Sequence, residues 1–243
     1  MKIAVAQTKP SPGDLNQNLS NHLALVQIAI DHQVGLLVFP ELSLTGYEPS
    51  LAKELALSLK DPRLTPFQVL ANQHELCIAV GAPLKSVHGT QIGLVIFQPH
   101  QARTSYAKRA LFDDEKAYFV PGKEPVQLVL QGERIAPAIC YELSVAWHRE
   151  EAVNNGASMY MTSVAKTAAD IERTDQILST LAREQQLLVL MANCTGPADQ
   201  YDCCGNSSIW NREGRLVDRM DVDTTGLLIY DTKTSLTEKM VLT

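Results

Sequence analysis

Short, continuous apolar runs alternate along this chain with stretches of helical periodicity, and few architectures can bury both. Gly35 to Phe39 (GLLVF) and Leu187 to Ala192 (LLVLMA) contain no polar side chain. A run that is apolar at every position suits a strand covered on both faces. Ile3 to Ala6, Leu76 to Val80, Ile92 to Phe97, Val126 to Leu130, Ile135 to Ile139 and Met159 to Thr162 also read as strands, with Gly and Pro between many of them. Between them, Leu15, Leu19, Leu23, Val26 and Ile30 recur at helical spacing behind a capping Asp14. A second helix is predicted over about Ser144 to Asn154, and a third carries Ile171, Thr174, Leu178, Leu181 and Gln185 on one stripe. After about Asp199 the pattern changes to short strands: Ser207 to Trp210, Arg215 to Arg219 and Leu227 to Tyr230. The expectation is an α/β sandwich with helices over buried sheets, mixed rather than purely parallel. At 243 residues, one domain spanning 1–243 accommodates it all.

Charge and cysteine usage narrow the function classes. A net charge of −6 argues against a nucleic-acid partner, which needs a basic face. No apolar run approaches the length of a membrane span, so no membrane role is expected. The five cysteines are odd in number, and the adjacent Cys203 and Cys204 look like a chance pair, so no disulfide framework is expected. No Cys/His spacing suits zinc, and the expectation is no metal. Free thiols fit a cytoplasmic location.

Sites in α/β sheets form at the carboxyl ends of strands. Glu41 follows GLLVF and Pro40, Lys108 follows the strand-like Arg103 to Ala107, and Cys140 closes the run IAPAI. A nucleophile, a carboxylate and a cation at equivalent ends are the parts needed for acyl transfer. Cys140 is expected between a buried strand and a helix N-terminus, whose partial positive charge favours thiolate. Each residue also has a plainer reading. Cys140 could be structural, as Cys77 and Cys194 are read. Glu41 could cap a turn, Lys108 could be solvated, and Glu115, in a run of charges, could sit in an exposed loop.

Several segments, in one order, resemble the nitrilase superfamily of carbon–nitrogen hydrolases. Phe39–Pro40–Glu41–Leu42 with Thr45–Gly46–Tyr47 resembles the segment of the catalytic glutamate. Tyr106, Lys108 and Leu111 match the lysine segment. Glu115 with Phe119 and Pro121–Gly122 matches the second-glutamate segment. Ile139–Cys140–Tyr141–Glu142, with Gly156–Ala157 behind it, matches the nucleophile segment. Ala182, Glu184 and Asn193, then Gly205, Ser207 and Ile209, complete the order.

The resemblance implies a four-layer α-β-β-α sandwich with two mixed sheets, often in homodimers or larger assemblies. It implies Glu41 as base and acid, Cys140 as nucleophile, and Lys108 with the Tyr141 backbone N–H as oxyanion donors. Glu115 would orient Lys108. Tyr47, Tyr141, Glu142 and Ser163 are expected to bind substrate. No cofactor is expected, because this chemistry is complete with side chains and water.

The chain also departs from many relatives, with Ser144–Val145–Ala146–Trp147 after the nucleophile and Ala110 where a histidine is common. Nitrile-cleaving members usually carry Trp directly after the cysteine, and Tyr141 points instead to an amidase. The expected substrate is a small ω-amide or N-carbamoyl compound. The alternatives are an acyltransferase using the same residues and a non-catalytic binding or scaffold protein.

Overall fold

The computed structural model describes residues 1–242. In chain order its strands begin with β1 (Lys2–Gln7), β2 (Val34–Val38), β3 (Cys77–Ser86), β4 (Gly89–Phe97) and β5 (Thr104–Ala107). They continue with β6 (Leu128–Leu130), β7 (Glu133–Ile139), β8 (Met159–Val164), β9 (Leu188–Asn193) and β10 (Thr195–Ala198). The last are β11 (Tyr201–Cys204), β12 (Ser208–Trp210), β13 (Leu216–Arg219), β14 (Gly226–Asp231) and β15 (Thr237–Val241). The helices are α1 (Leu15–Asp31), α2 (Ala52–Leu55), α3 (Thr65–His74), α4 (Ala146–Asn154) and α5 (Ala168–Gln185). None is long and apolar enough to cross a membrane.

A seven-stranded sheet runs β15-β14-β1-β2-β3-β4-β5, and a six-stranded sheet runs β13-β12-β9-β8-β7-β6. Each has a parallel centre, β1-β2-β3 in one and β7-β8-β9 in the other, flanked by antiparallel strands. Both sheets are therefore mixed, as the strand-rich second half of the chain implied.

Strand alternation sends successive side chains to opposite faces, and here every face has a cover. Ile3, Val5, Leu36 and Val38 from one sheet meet Ile135, Met161, Leu188 and Leu190 from the other in a central core. Their neighbours Ala4, Ala6, Leu37 and Phe39 point outward onto Leu15, Leu19 and Phe67 of α1 and α3. Ala136, Tyr160, Val189 and Met191 point outward from the second sheet onto Leu178 and Leu181 of α5. The result is four layers, α-β-β-α. Asp14 caps α1 by accepting from Gln17 N at 3.0 Å.

The elements absent from the sequence reading are α2, α3, β10, β11 and β15. The run at Val126 to Leu130 keeps only three residues as strand, and Gln185 is exposed at the end of α5.

Candidate active site

The parallel centres of both sheets deliver Glu41 and Cys140. Glu41 lies in a turn just beyond β2, and that turn is held from three directions. Phe39 N donates to Ala79 O at 2.9 Å, and Leu44 N donates to Gly81 O at 3.0 Å. From α1, Asn18 Nδ2 donates to Leu44 O at 3.1 Å, and from the turn before it Gly13 N donates to Thr45 O at 2.8 Å. His22 Nδ1 lies 2.7 Å from Asn18 O, a carbonyl that can only accept, so that nitrogen carries the proton. Nε2 of the neutral ring then accepts from the Ser43 hydroxyl at 2.9 Å. Burial pushes the His22 pKa down to about 4, which keeps the ring neutral.

Lys108 follows β5 and is fully buried between two carboxylates. Its Nζ donates to Glu41 Oε1 at 2.8 Å and to Glu115 Oε1 at 2.5 Å. Burial opposes its charge, but Glu41, Cys140 and Glu115 outweigh burial and raise its pKa, so the ammonium stays charged. Glu115 is 2% exposed, which corrects the plain reading of a solvated loop. A turn over Asp113–Ala117 aims it inward, with Oε2 accepting from Phe112 N at 2.8 Å. Tyr47 donates its hydroxyl to Glu115 Oε1 at 3.0 Å, and burial raises the Tyr47 pKa.

Cys140 directly follows β7 with φ +46°, a left-handed conformation that costs a non-glycine residue energy and clusters at functional sites. No full helix follows at once: a tight turn spans Cys140–Ser144, and α4 begins only at Ala146. The expected thiolate is not favoured either. Burial and then Glu41 push the thiol up to about 11, against the opposing pull of Lys166 and Lys108. The resting nucleophile is a neutral thiol that needs a base. Glu41 offers one: burial raises its carboxyl pKa, Lys108 opposes that, and its buried Oε2 has no hydrogen-bond partner among the described residues. Tyr141 is the second residue of the Cys140–Ser144 turn, where the leading backbone N–H groups have no partner within the turn. Its ring is partly exposed and meets Phe112 edge-on at 5.5 Å.

Two residues expected to bind substrate are fully buried and engaged in internal hydrogen bonds. Glu142 is fully buried, and its oxygens accept from Tyr106 Oη at 2.7 Å, Arg109 N at 2.6 Å, Ala110 N at 3.2 Å and Ile139 N at 2.8 Å. Three of these bonds converge on Oε1 and one on Oε2. Glu142 instead ties the strand end that carries Cys140 to the segment that carries Lys108. Behind it, His148 Nε2 lies 2.7 Å from Tyr106 Oη and Nδ1 lies 2.8 Å from Tyr160 Oη. Since Tyr106 donates to Glu142, it accepts from Nε2–H, and Tyr160 donates to Nδ1. Ser163 is also fully buried, and its hydroxyl donates to Phe39 O at 2.8 Å, bracing the Glu41 turn across the two sheets.

Lys166, just past β8, is a charged neighbour of Cys140 that the sequence reading missed. The signal was the same one that marked Glu41 and Lys108, an ionisable residue directly beyond a buried run. Cys77 lies in the core, where burial pushes its thiol up to about 12.

A buried carboxylate–ammonium–carboxylate array beside a neutral, partly exposed thiol can deprotonate that thiol and hold a developing oxyanion. Comparison with known proteins agrees with the geometry. The family model described as Carbon-nitrogen hydrolase matches residues 2–240. A "Hydrolase in pqqF 5'region" of Pseudomonas protegens is 29% identical over 224 residues, covering 89% of this chain and 78% of that protein. The 2-oxoglutaramate amidase of Bacillus subtilis is 26% identical, covering 88% of this chain and 84% of that one. The solved structure of the NitN amidase from Nesterenkonia sp. AN1 superposes with a TM-score of 0.86 at 25% identity, covering 95% and 92% of the two chains. The four layers, the buried array and the full-length match all say that this chain belongs to the carbon-nitrogen hydrolase family, as an amidase-type member of the nitrilase superfamily.

Proposed function

We propose that the protein hydrolyses a small ω-amide or N-carbamoyl compound through a thioester on Cys140. The observation that carries this reading is Lys108, buried between Glu41 and Glu115 while one Glu41 oxygen stays free. Glu41 takes the Cys140 proton as Sγ attacks the carbonyl carbon. The oxyanion forms against Lys108 Nζ and the Tyr141 N–H, and one such donor contributes about 10²–10³-fold in rate. As the tetrahedral species collapses, the C–N bond breaks and Glu41 passes its proton to the departing nitrogen. Ammonia or an amine leaves, and the acyl group stays on Sγ. Glu41 then takes a proton from water as the oxygen attacks the thioester. The acid departs, and the proton returns to the thiol. Glu115 keeps the Lys108 ammonium charged and aimed throughout, and Tyr47 holds Glu115.

The same proposal includes a homodimer or larger assembly working in the cytoplasm, where free thiols persist. Light scattering on the purified protein reads the assembly.

The test is ammonia release across ω-amides of dicarboxylates, glutamine, aliphatic amides and N-carbamoyl amino acids, with 2-oxoglutaramate among the first group. Release by the wild type that disappears in Cys140→Ala is the expected result. Release that survives in Cys140→Ala would sink the mechanism.

A further inference from the structure

A half-buried ammonium is costly unless a counter-charge faces it. Lys166 has no such partner: among the described residues no carboxylate lies within 4.0 Å of its Nζ, and no acceptor receives a hydrogen bond from it. Its backbone is nonetheless fixed. Lys166 N donates to Asn193 Oδ1 at 2.8 Å, and its carbonyl accepts from Asn193 Nδ2 at 3.1 Å and Cys204 N at 3.0 Å. Asp170, in the first turn of α5, accepts instead from Thr167 Oγ1 at 3.0 Å.

The position is that of a substrate contact. β7 and β8 run parallel with Ile139 opposite Ser163, so both chains leave the sheet at the same end, Cys140 directly after β7 and Lys166 two residues after β8. The two groups are close enough that a thiolate on Cys140 would raise the Lys166 pKa and Lys166 would lower that of the thiol. That thiol is neutral at rest, so it does not serve as the standing counter-ion. The remaining array carries two carboxylates against one ammonium. An anionic substrate entering it meets net repulsion unless a second cation is present.

We propose that Lys166 selects the substrate: its unpaired ammonium at the end of β8 binds a carboxylate carried by the amide that Cys140 attacks. The proposal rests on the amide-hydrolase reading above and narrows it. ω-Amides of dicarboxylates and N-carbamoyl amino acids differ in the bond that is cut but share this carboxylate. A cation that only stabilised thiolate would help every substrate equally, whereas a carboxylate-binding cation helps only anionic ones.

Glutaramate and its neutral isostere, with an isopropyl group in place of the carboxylate, separate these roles in the full-length protein. The ratio of kcat/KM for the anionic to the neutral amide is expected to fall roughly 10–100-fold in Lys166→Met, as befits a lost charge-assisted hydrogen bond. The fall is expected mainly in KM for glutaramate. Lys166→Arg retains most of the preference, and added salt weakens it in the wild type. An unchanged ratio in Lys166→Met, with both amides losing rate in parallel, overturns the proposal and leaves the amidase reading standing. A wild type that does not prefer glutaramate overturns it equally. Should Lys166→Met fail to fold, the wild-type preference and its salt dependence decide. A wild type that releases ammonia from other amides of the panel but from neither of these overturns this proposal alone, whereas silence across the whole panel overturns the amide-hydrolysis proposal with it.

Discussion

The two oxygens of Glu41 differ in their surroundings. Oε1 is held by Lys108 at 2.8 Å, while Oε2 has no hydrogen-bond partner among the described residues. Glu41→Gln keeps the shape and can still accept from Lys108, but it cannot carry a proton between thiol, leaving group and water. The expected loss in kcat is about 10²–10⁴-fold. It is read in the ammonia assay, with mass spectrometry watching for an acyl-enzyme that no longer hydrolyses. A kcat within a few-fold of wild type would remove Glu41 from the mechanism. The raised carboxyl pKa also fixes a direction for the wild type: its activity is lost, as pH falls, at a higher pH than an ordinary exposed glutamate would give. Which residues meet in the candidate site was legible from sequence where motif and strand end coincide, at Glu41, Lys108 and Cys140. Glu142 and Ser163 were misread because proximity to the nucleophile in sequence does not tell which way a side chain points. Both turn into the protein and brace it.

The Glu41 turn owes its position to β3. Gly81 lies directly beneath it, and a methyl group there would come 2.1 Å from Pro40 O and 2.6 Å from Leu42 N. Those atoms are backbone and cannot rotate away, so Gly81→Ala must push the turn off the strand. Overpacking of this kind costs about 1–3 kcal/mol, and a displacement near 1 Å at a catalytic group can cost about 10²-fold in rate. Both effects are expected together, in chemical denaturation and in kcat. A fully active Gly81→Ala protein would show that the turn is not rigidly seated. The central strands were readable because both of their faces are covered, which forces apolar side chains at every position. β15 (TEKMV) was not, since most of it is exposed and polar, and β10 (TGPA) carries a Gly and a Pro that read as a turn. The helix α3 begins Thr65–Pro66 and buries only Phe67 and Ala71, too thin a stripe to mark a helix from periodicity.

At the scale of the molecule, stability is tied to pH through His22, which joins α1 to the catalytic turn. Its folded pKa is about 4, against 6.5 for an ordinary histidine. Below pH 6.5 the unfolded chain takes up a proton that the folded protein refuses, so stability falls as pH drops from 6.5 to about 4. Below that the folded ring protonates as well, and the contribution levels off. The full loss from this one group is about 3 kcal/mol. Urea denaturation at several pH values should show a shallower slope over this window in His22→Gln than in the wild type. Identical slopes would mean that another group sets the acid limit.

The strand order has a consequence for how the chain is made. The six-stranded sheet is assembled from a contiguous stretch, β6 to β13, and closes with pairings of modest separation. In the seven-stranded sheet β1 lies between β2 and β14, with Lys2 opposite Asp231 and Gln7 opposite Gly226. On a ribosome, β1 and β2 emerge early, but one edge of β1 stays unpaired until β14 has been synthesised. An apolar edge left open for that long invites pairing with another nascent chain. That edge is closed only when β14 arrives, so the seven-stranded sheet is completed by its most distant pairing in sequence.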